Sequence, residues 1–273
     1  NKTILKQLRM KKYLVIGNPI DHSLSPKLQN WWLKENNINA TYDKIKLEFH
    51  EIKNFIREIK EQRIAGCNVT VPFKKTVIPF LDKLSPEAEQ TQSVNTITFD
   101  NGDLVGHNTD IAGFDEAIKK LNFNVEGKKV LILGAGGVVP SIIFALKNMH
   151  VQEIIISNRT KEKAENLIVL FKDLKILEWG NLTDFHMIIN ATSLGLNNET
   201  INLDFSSLGH DKLFYDVIYN PNETPFLQTG KQLGYKIENG KTMFVYQALQ
   251  AFKLWHKIEP KVNTDTLKLL DND

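Results

Sequence analysis

The chain has few of the residues that would point to a secreted, metal-binding or membrane-spanning protein. Its one cysteine, Cys67, allows neither an internal disulfide nor a cysteine metal cluster, and a cytoplasmic location is expected because that compartment keeps thiols reduced. No apolar run reaches the ~18 residues that a membrane-spanning helix requires. The formal net charge of +2 is small for 273 residues, which gives no electrostatic signal for binding to nucleic acid or to an anionic membrane.

The composition is otherwise that of a folded protein. Hydrophobic residues make up 42% of the chain, enough to bury a core, and the length suits one large or two ordinary domains. Residues 1–9 are basic and precede Met10, so we expect them to be an extension without a function of its own. Cys67 follows Gly66 in an apolar strand, where we expect a buried filler rather than a reactive thiol.

Short apolar strands alternate with helical patterns along the chain, which is typical of a mostly parallel sheet. In the first part, Ser25 and Pro26 are expected to cap and open a helix, and Asn101-Gly102 to form the turn of a hairpin. A second unit, with the repeated strand–helix pattern of a doubly wound nucleotide-binding domain, starts after Asn122. Strands are predicted at residues 13–17, 41–46, 64–71, 93–99, 103–106, 128–133, 153–157, 187–190, 213–217 and 235–238, and helices at 50–60, 75–81, 137–148, 161–171, 224–233 and 242–257.

A glycine-rich turn, Gly134-Ala135-Gly136-Gly137, follows one of the predicted strands and opens a helix. Glycine permits a tight turn and the close approach of a pyrophosphate to the backbone, and a helix N-terminus offers free N–H groups. A glycine-rich turn that binds nothing is the alternative, since the motif alone is weak. Its place between strand and helix favours a dinucleotide site.

The end of the next strand indicates which dinucleotide would bind. A site for NAD usually carries an acidic residue about 20 residues after the first glycines, to hold the ribose 2′-hydroxyl. Here Asn158, Arg159 and Thr160 occupy that place, and a guanidinium and two hydrogen-bonding side chains suit a 2′-phosphate. The sequence therefore favours NADP over NAD. The alternative for Arg159 taken alone is a solvated loop charge.

The segment Asn68-Val69-Thr70-Val71-Pro72-Phe73-Lys74 places an amine just beyond the end of a strand. Pro72 cannot continue a central ladder, so Lys74 falls on the following turn or first helical turn. That is the sheet edge where open α/β sheets bind ligands. A lone lysine in this place would be an ordinary surface charge, so its interpretation depends on other residues of the chain.

Three of those residues stand at predicted helix starts. Ser23 and Ser25 precede Pro26, and their hydroxyls together with the helix N-terminus can bind a carboxylate. Helix capping is the alternative for these serines, and the two roles can coexist. Asp110 can orient a lysine and a substrate hydroxyl, or it can cap a helix that starts near Ile111. The histidines have no metal-ligand partner at a useful spacing, so no metal site is predicted.

Taken in order, the motifs resemble those of one family, the shikimate dehydrogenases, over residues 10–260. The resemblance implies a two-domain enzyme that reduces 3-dehydroshikimate to shikimate with NADPH in the shikimate pathway, which leads to chorismate and the aromatic amino acids. The segments that carry it are His22-Ser23-Leu24-Ser25-Pro26, Asn68 through Lys74, Asn108-Thr109-Asp110, the Gly134 turn with Asn158-Arg159-Thr160, Asn190-Ala191-Thr192-Ser193, Asp216-Val217-Ile218-Tyr219-Asn220-Pro221, and the last long helix with Met243, Gln247 and Trp255.

The same resemblance implies the domains and the site residues. It implies an N-terminal, mostly parallel α/β substrate-binding and catalytic domain of residues 10–112 plus 242–273, a doubly wound Rossmann-like NADP domain of residues 113–241, and a cleft between them. The catalytic residues of the family fall on Lys74 and Asp110. Its substrate-binding residues fall on Ser23, Ser25, Thr70, Asn95, Tyr219 and Gln247. Its cofactor-binding residues fall on Gly134, Ala135, Gly136, Gly137, Asn158, Arg159, Thr160, Thr192, Gly240 and Met243.

One departure from the family concerns the cofactor. Val138, Val139 and Pro140 stand where similar sequences usually carry small residues and then an arginine, so a contact on the adenosine side is expected to be missing.

The reduction implied by the resemblance requires one proton. Reducing a ketone leaves negative charge on its oxygen, which a protonated Lys74 can stabilise and neutralise. In the reverse direction a neutral amine must accept the proton, and a nearby Asp110 opposes this by favouring the ammonium form. We therefore expect Asp110 mainly to orient Lys74 and a substrate hydroxyl, while the identity of the formal base stays open.

Other functions and assemblies also stay open on the sequence alone. One alternative is a quinate/shikimate dehydrogenase that also uses NAD, and another is a non-catalytic sensor that binds a shikimate-like effector. Trp31 and Trp32 are adjacent on the first predicted helix and cannot share one face. A core position and a contact in a homodimer are the alternatives for them.

Overall fold

The computed structural model describes residues 10–271, so the extension predicted at residues 1–9 lies outside the described part. The chain divides into two compact units. Unit 1 contains the residues up to Thr109 together with those from Gln247 onwards, and unit 2 contains Asp110–Tyr246. Within residues 10–271, no helix is long and apolar enough to cross a membrane.

The described part of unit 1 is built on a six-stranded mixed sheet with the strand order β2-β1-β3-β5-β6-β4. Strand β1 is parallel to both of its neighbours, whereas β5 is antiparallel to β3 and to β6. The strands are β1 (Lys11–Gly17), β2 (Ala40–Lys46), β3 (Gly66–Val69), β4 (Lys83–Leu84), β5 (Thr96–Asp100) and β6 (Asp103–His107), and the helices are α1 (Ser25–Glu35), α2 (Ile52–Lys60), which follows a 3-10 turn at Phe49–Glu51, and α3 (Pro86–Thr91).

Some local predictions for unit 1 are wrong. Ser25 does not cap helix α1, because the helix begins at Ser25 itself, and the Ser25 N–H instead donates to Ser23 Oγ at 3.3 Å. Residues 75–81 form turns and a 3-10 helix at Ile78–Phe80 rather than an α-helix, since the proline in the middle of the segment lacks the N–H that an α-helix needs. The hairpin is confirmed: β5 and β6 pair around Asn101-Gly102, and both turn residues have positive φ angles.

Unit 2 has the predicted doubly wound architecture. In its described part, all neighbouring strands of a six-stranded sheet are parallel, in the order β12-β11-β10-β7-β8-β9. The order reverses between β7 and β10, the place where such sheets bind their ligands. The strands are β7 (Lys129–Leu133), β8 (Glu153–Ser157), β9 (Lys175–Ile176), β10 (Met187–Asn190), β11 (Leu213–Asp216) and β12 (Lys236–Glu238), and the helices are α4 (Asp110–Lys119), α5 (Val139–Asn148), α6 (Lys161–Leu170) and α7 (Pro225–Gln232).

The cores explain why these segments form strands. Strands β10 and β11 are buried along their whole length, as expected for a parallel sheet covered on both faces. In unit 1, Cys67 is fully buried, which confirms its predicted role as a core filler.

Two helices complete the described chain: α8 (Lys241–His256) and α9 (Thr264–Lys268). The part of α8 that belongs to unit 1 is tied to that unit by side chains. Gln29 Nε2 donates to the Ala248 carbonyl at 3.0 Å, and Trp255 Nε1 donates to the Ile97 carbonyl at 3.1 Å. Of the adjacent tryptophans on α1, Trp32 is buried while Trp31 is partly exposed, as their positions on one helix require.

Candidate active site

The strands of unit 1 bring Thr70, Lys74 and Asn95 to one edge of the sheet. Thr70 and Lys74 follow the end of β3, and Asn95 precedes the start of β5. Because β5 is antiparallel to β3, its start lies at the same edge as the end of β3. The backbone joins them there: Val69 N donates to Asn95 O, and Val94 N donates to Lys74 O, both at 2.8 Å.

Asn95 is the centre of a buried polar cluster at this edge. Its Nδ2 donates to Thr109 Oγ1 at 2.8 Å and to Gln247 Oε1 at 3.5 Å. Its Oδ1 accepts from Thr109 N at 2.7 Å and from Thr96 Oγ1 at 3.1 Å. A backbone N–H can only donate, so the amide orientation of Asn95 is determined. Two of the predicted substrate residues, Asn95 and Gln247, are therefore brought together.

Tyr42 extends this cluster and was missed from the sequence. It is 1% exposed, and its hydroxyl donates to Asn68 Oδ1 at 2.6 Å. Asn68 Nδ2 in turn donates to Asn95 O at 3.1 Å and to Thr96 Oγ1 at 3.0 Å. Burial raises the pKa of Tyr42 well above its ordinary value, so it stays a neutral donor. The signal that could have found it is Asn68, a buried amide in an otherwise apolar strand that needs polar partners.

The hydroxyl groups near this edge differ in what they can offer a ligand. Thr70 Oγ1 donates to the Ile16 carbonyl at 2.8 Å, so only its lone pairs are left to accept from a ligand hydroxyl. Ser23 Oγ accepts from Ser25 N, a bond that does not use the proton of Ser23. The structure thus places Ser23 and Ser25 side by side, with Ser25 buried and Ser23 partly exposed.

The predicted catalytic residues fall in different units, Lys74 in unit 1 and Asp110 in unit 2. Lys74 is half-buried and directly follows Phe73, whose fully buried ring anchors the turn. Asp110 is 6% exposed and is the first residue of helix α4, where the helix dipole favours a carboxylate. The helix start predicted near Ile111 is thereby confirmed.

In unit 2, the glycine turn lies where the strand order reverses. Gly134 follows β7 and has a φ of +114°, a region that favours glycine. A Cβ on Gly134 would lie 2.8 Å from the Ala191 carbonyl oxygen, just beyond β10. Above Gly136, by contrast, an added Cβ would meet nothing within 4 Å. The turn is therefore closely packed at Gly134 and open at Gly136, which fits a pyrophosphate at the start of helix α5.

The loop after β8 carries the three residues expected to select the cofactor. Asn158 Nδ2 donates to the Thr160 carbonyl at 2.8 Å, which shapes the loop. Arg159 and Thr160 are exposed, so the Arg159 guanidinium is accessible to a phosphate. The turn, the helix start and Arg159 together fit a dinucleotide that carries a 2′-phosphate.

The remaining predicted contacts in unit 2 vary in accessibility. Thr192 is partly exposed, and its hydroxyl donates to Asn190 Oδ1 at 2.6 Å. The ring of Tyr219 lies 4.6 Å from that of Phe244, centre to centre, and burial raises the pKa of its hydroxyl. Gly240 must be glycine, because a Cβ there would overlap the Val217 carbonyl. Met243 is 4% exposed within the apolar core of the unit.

No metal centre emerges within residues 10–271. No group of three or more His, Cys, Asp or Glu side chains in that part of the chain could hold a metal ion.

Comparison with known proteins places these features in a family. Residues 15–97 match the model of the shikimate dehydrogenase substrate-binding domain, and residues 115–195 match that of shikimate/quinate 5-dehydrogenase. The shikimate dehydrogenase (NADP+) of Pelagibacter ubique is 55% identical over 262 residues, which cover 96% of this chain and 99% of that protein.

Solved structures agree over nearly the whole chain. The shikimate dehydrogenase of Aquifex aeolicus superimposes with a TM-score of 0.87 at 34% identity, covering 97% of this chain and 99% of that one. The shikimate 5-dehydrogenase of Thermus thermophilus, solved with NADP(H) and shikimate, gives a TM-score of 0.86 at 29% identity and covers 96% of this chain and 98% of its own.

Proposed function

This chain belongs to the shikimate dehydrogenase family, and from that premise we propose that it reduces 3-dehydroshikimate to shikimate with NADPH. It is an oxidoreductase with NADP as cofactor, and it works in the cytoplasm in the shikimate pathway, which leads to chorismate and the aromatic amino acids. The observation that carries the proposal is the polar edge of unit 1, where Asn95 binds Gln247 and Thr109 beside the Lys74 backbone.

When bound, NADPH supplies the hydride that the carbonyl carbon of the substrate receives. The chain's own part is to hold the dinucleotide. The backbone of Gly134–Gly137 and the first N–H groups of α5 would hold the pyrophosphate. Arg159 would hold the 2′-phosphate, and the absence of an acidic residue beside it would avoid repulsion.

The substrate is held by groups that differ in whether they donate or accept a hydrogen bond. Ser23 donates its hydroxyl proton to the substrate carboxylate beside Ser25, and Tyr219 is a further residue that we assign to the substrate. Thr70 accepts from a ring hydroxyl, because its own proton goes to the Ile16 carbonyl. Asn95 and Gln247 bind further hydroxyls from their shared cluster.

Lys74 supplies the proton. As negative charge develops on the carbonyl oxygen, the Lys74 ammonium stabilises it and donates one proton, so that C=O becomes C–OH and the lysine is left neutral. Lys74 regains a proton from water before the next turnover. The role that we propose for Asp110 is to orient the reacting groups.

The direct test is turnover by the purified protein. We expect NADPH to be consumed with 3-dehydroshikimate, and NADP+ to be reduced with shikimate. Four assays in the oxidative direction, pairing shikimate or quinate with NADP+ or NAD+, separate this proposal from the relaxed quinate/shikimate enzyme, which would use all four pairs well. Binding of shikimate by calorimetry without any turnover would instead favour the sensor.

The pathway and the assembly need separate measurements. Growth without aromatic amino acids should return when the gene for this chain is expressed in a bacterium that lacks its own shikimate dehydrogenase. Sedimentation velocity tests whether the chain forms a homodimer, which a single species of about 31 kDa would contradict.

A further inference from the structure

Asp216, at the end of strand β11, holds a carboxylate that is 0% exposed and is bound by three segments of unit 2. Ile218 N donates to its Oδ1 at 2.9 Å, and Thr224 Oγ1 donates to its Oδ2 at 2.6 Å. Asn190 Nδ2 lies 3.2 Å from each of the two oxygens. All of these partners donate, so together they match an ionised carboxylate that only accepts.

Asn190 connects Asp216 to the loop that carries Thr192. Its Oδ1 accepts from Thr192 N at 3.0 Å, which determines the amide orientation and directs Nδ2 towards Asp216 and the Leu194 carbonyl at 2.9 Å. The same Oδ1 accepts the Thr192 hydroxyl proton, and Thr192 Oγ1 accepts from Leu194 N at 3.1 Å. The conformation of this loop is therefore specified through one amide that is hydrogen-bonded to Asp216.

On its other side, Asp216 holds the loop that carries Tyr219. Ile218 N and Thr224 Oγ1 bind the carboxylate at the start and the end of that loop. Thr224 also caps helix α7 by accepting from Leu227 N at 3.3 Å. Gly240 N donates to the Ile218 carbonyl at 3.2 Å, so the backbone at Gly240, a predicted cofactor-binding residue, also depends on this loop.

We propose that Asp216 is a positioning residue that holds the Thr192 loop and the Tyr219 loop in one arrangement, so that a single carboxylate supports the binding of both cofactor and substrate without touching either. The inference rests on the proposed function, from which the roles of Thr192 and Tyr219 are taken. A neutral side chain cannot replace the carboxylate, since Asn190 on one side and the Tyr219 loop on the other both present donors to it.

The test compares Asp216→Asn with Asp204→Asn. The amide introduced at position 216 would turn an N–H₂ group towards donors, so we expect the KM values for NADP+ and for shikimate both to rise, by about 2- to 30-fold, with a smaller change in kcat. Asp204 is the matched control, because its carboxylate also accepts from the backbone N–H two residues later, that of Ser206, at 3.0 Å. The Asp204 carboxylate is exposed, however, and its other hydrogen bond comes from the hydroxyl of the same Ser206. Its variant should behave as wild type.

A second pair of variants protects the test against a folding defect. Thr224→Ser keeps the hydroxyl and should keep the wild-type KM for shikimate, whereas Thr224→Val removes it and should raise that KM. Folding is followed by circular dichroism, and dissociation constants for NADP+ and shikimate by calorimetry. A folded Asp216→Asn variant that binds both ligands as wild type, or one that loses only thermal stability, overturns the inference. A Thr224→Val variant with the affinities of Thr224→Ser also overturns it.

These results are distinguishable from a failure of the proposed function. Wild-type turnover combined with unchanged Asp216→Asn affinities defeats the positioning role alone. A wild type that binds neither NADP+ nor shikimate defeats both.

Discussion

Asn95 and Thr109 bind each other in both directions: Asn95 Nδ2 donates to Thr109 Oγ1 at 2.8 Å, and Thr109 N donates to Asn95 Oδ1 at 2.7 Å. Both residues are buried. Thr109 precedes Asp110 in the chain, so the amide that we assign to the substrate also holds the backbone next to the proposed orienting carboxylate. Binding and orientation are therefore expected to fail together when this pair is broken.

Asn95→Ala tests that expectation. Truncation leaves the Thr109 N–H without its acceptor, so we expect the free energy of unfolding to fall by about 1–3 kcal/mol and the KM for shikimate to rise. In a double-mutant cycle with Thr109→Val, the two variants should show a coupling of about 0.5–3 kcal/mol in urea unfolding. Strict additivity would mean that the pair does not act as a unit.

Lys74→Ala should lower kcat by about 100- to 10,000-fold, because general acid catalysis is lost, while the dissociation constant for shikimate changes little. Lys75→Ala is the matched control, since Lys75 is the exposed neighbour on the same turn. Steady-state kinetics and calorimetry measure the two effects separately. Equal activities for the two variants would remove Lys74 from the mechanism.

Arg159→Ala should weaken NADP+ binding by about 10- to 100-fold, because a charge-assisted hydrogen bond to the phosphate is lost. The KM for shikimate and the low efficiency with NAD+ should not change, because NAD+ lacks the 2′-phosphate. Lys172→Ala is the control: Lys172 is also exposed, but it lies between α6 and the start of β9, at the opposite edge of the sheet. If NADP+ and NAD+ are affected equally, Arg159 does not read the phosphate.

Tyr215→Phe should leave stability unchanged or raise it, by up to about 1–3 kcal/mol. Tyr215 is fully buried, and among residues 10–271 its hydroxyl has no hydrogen-bond partner. Folding therefore removes this hydroxyl from water without replacing its hydrogen bonds, and the variant avoids that loss of stability. Tyr42→Phe is the contrasting control, because that buried hydroxyl donates to Asn68 and its loss should destabilise the protein. Thermal and urea unfolding measure both. Losses of equal size would show that the Tyr215 hydroxyl is satisfied in solution.

We expect the stability of the protein to depend on pH through His256. Burial, with a smaller contribution from Lys11, lowers its pKa from 6.5 to about 4, and its ring packs against Tyr13 and Phe252. Between these two pH values the unfolded chain binds a proton that the folded protein does not, so this residue makes stability fall as the pH falls from 6.5 towards 4.

The measurement compares wild type with His256→Phe, which keeps an aromatic ring in the same place. The melting temperature of the variant minus that of wild type should increase as the pH is lowered from about 7 to about 5. A difference that stays constant with pH would show that His256 titrates normally in the folded protein.

The features that local chemistry specifies could be predicted from the sequence. Strands β8 and β10 have the predicted bounds, because apolar runs of this length that end at polar residues have few other conformations. The hairpin at Asn101-Gly102 and the glycine turn after β7 follow in the same way from the backbone freedom of particular residues. Ser25 was wrong as a cap, since which residue caps depends on how the preceding turn folds.

The site residues also fall into those that the sequence could predict and those that it could not. Sequence motifs and the family resemblance led to the prediction of Lys74, Asp110, the glycine turn and Arg159 as site residues, because the role expected of each rests on its own chemistry. Tyr42 and the contacts of Asn68 and of Asp216 could not be found in that way. Their importance lies in hydrogen bonds between residues far apart in the chain, such as Tyr42 with Asn68 and Asn190 with Asp216.

The sequence by itself thus determined most of the longer strands and helices, the doubly wound unit and which residue types are available for the chemistry, since each depends on neighbours along the chain. Only the tertiary structure decided which hydroxyl protons are already used, as at Thr70 and Thr192, and which buried carboxylate joins two loops. The physical reason is that a side chain's free donors and acceptors are those that remain after strand pairing has supplied its partners.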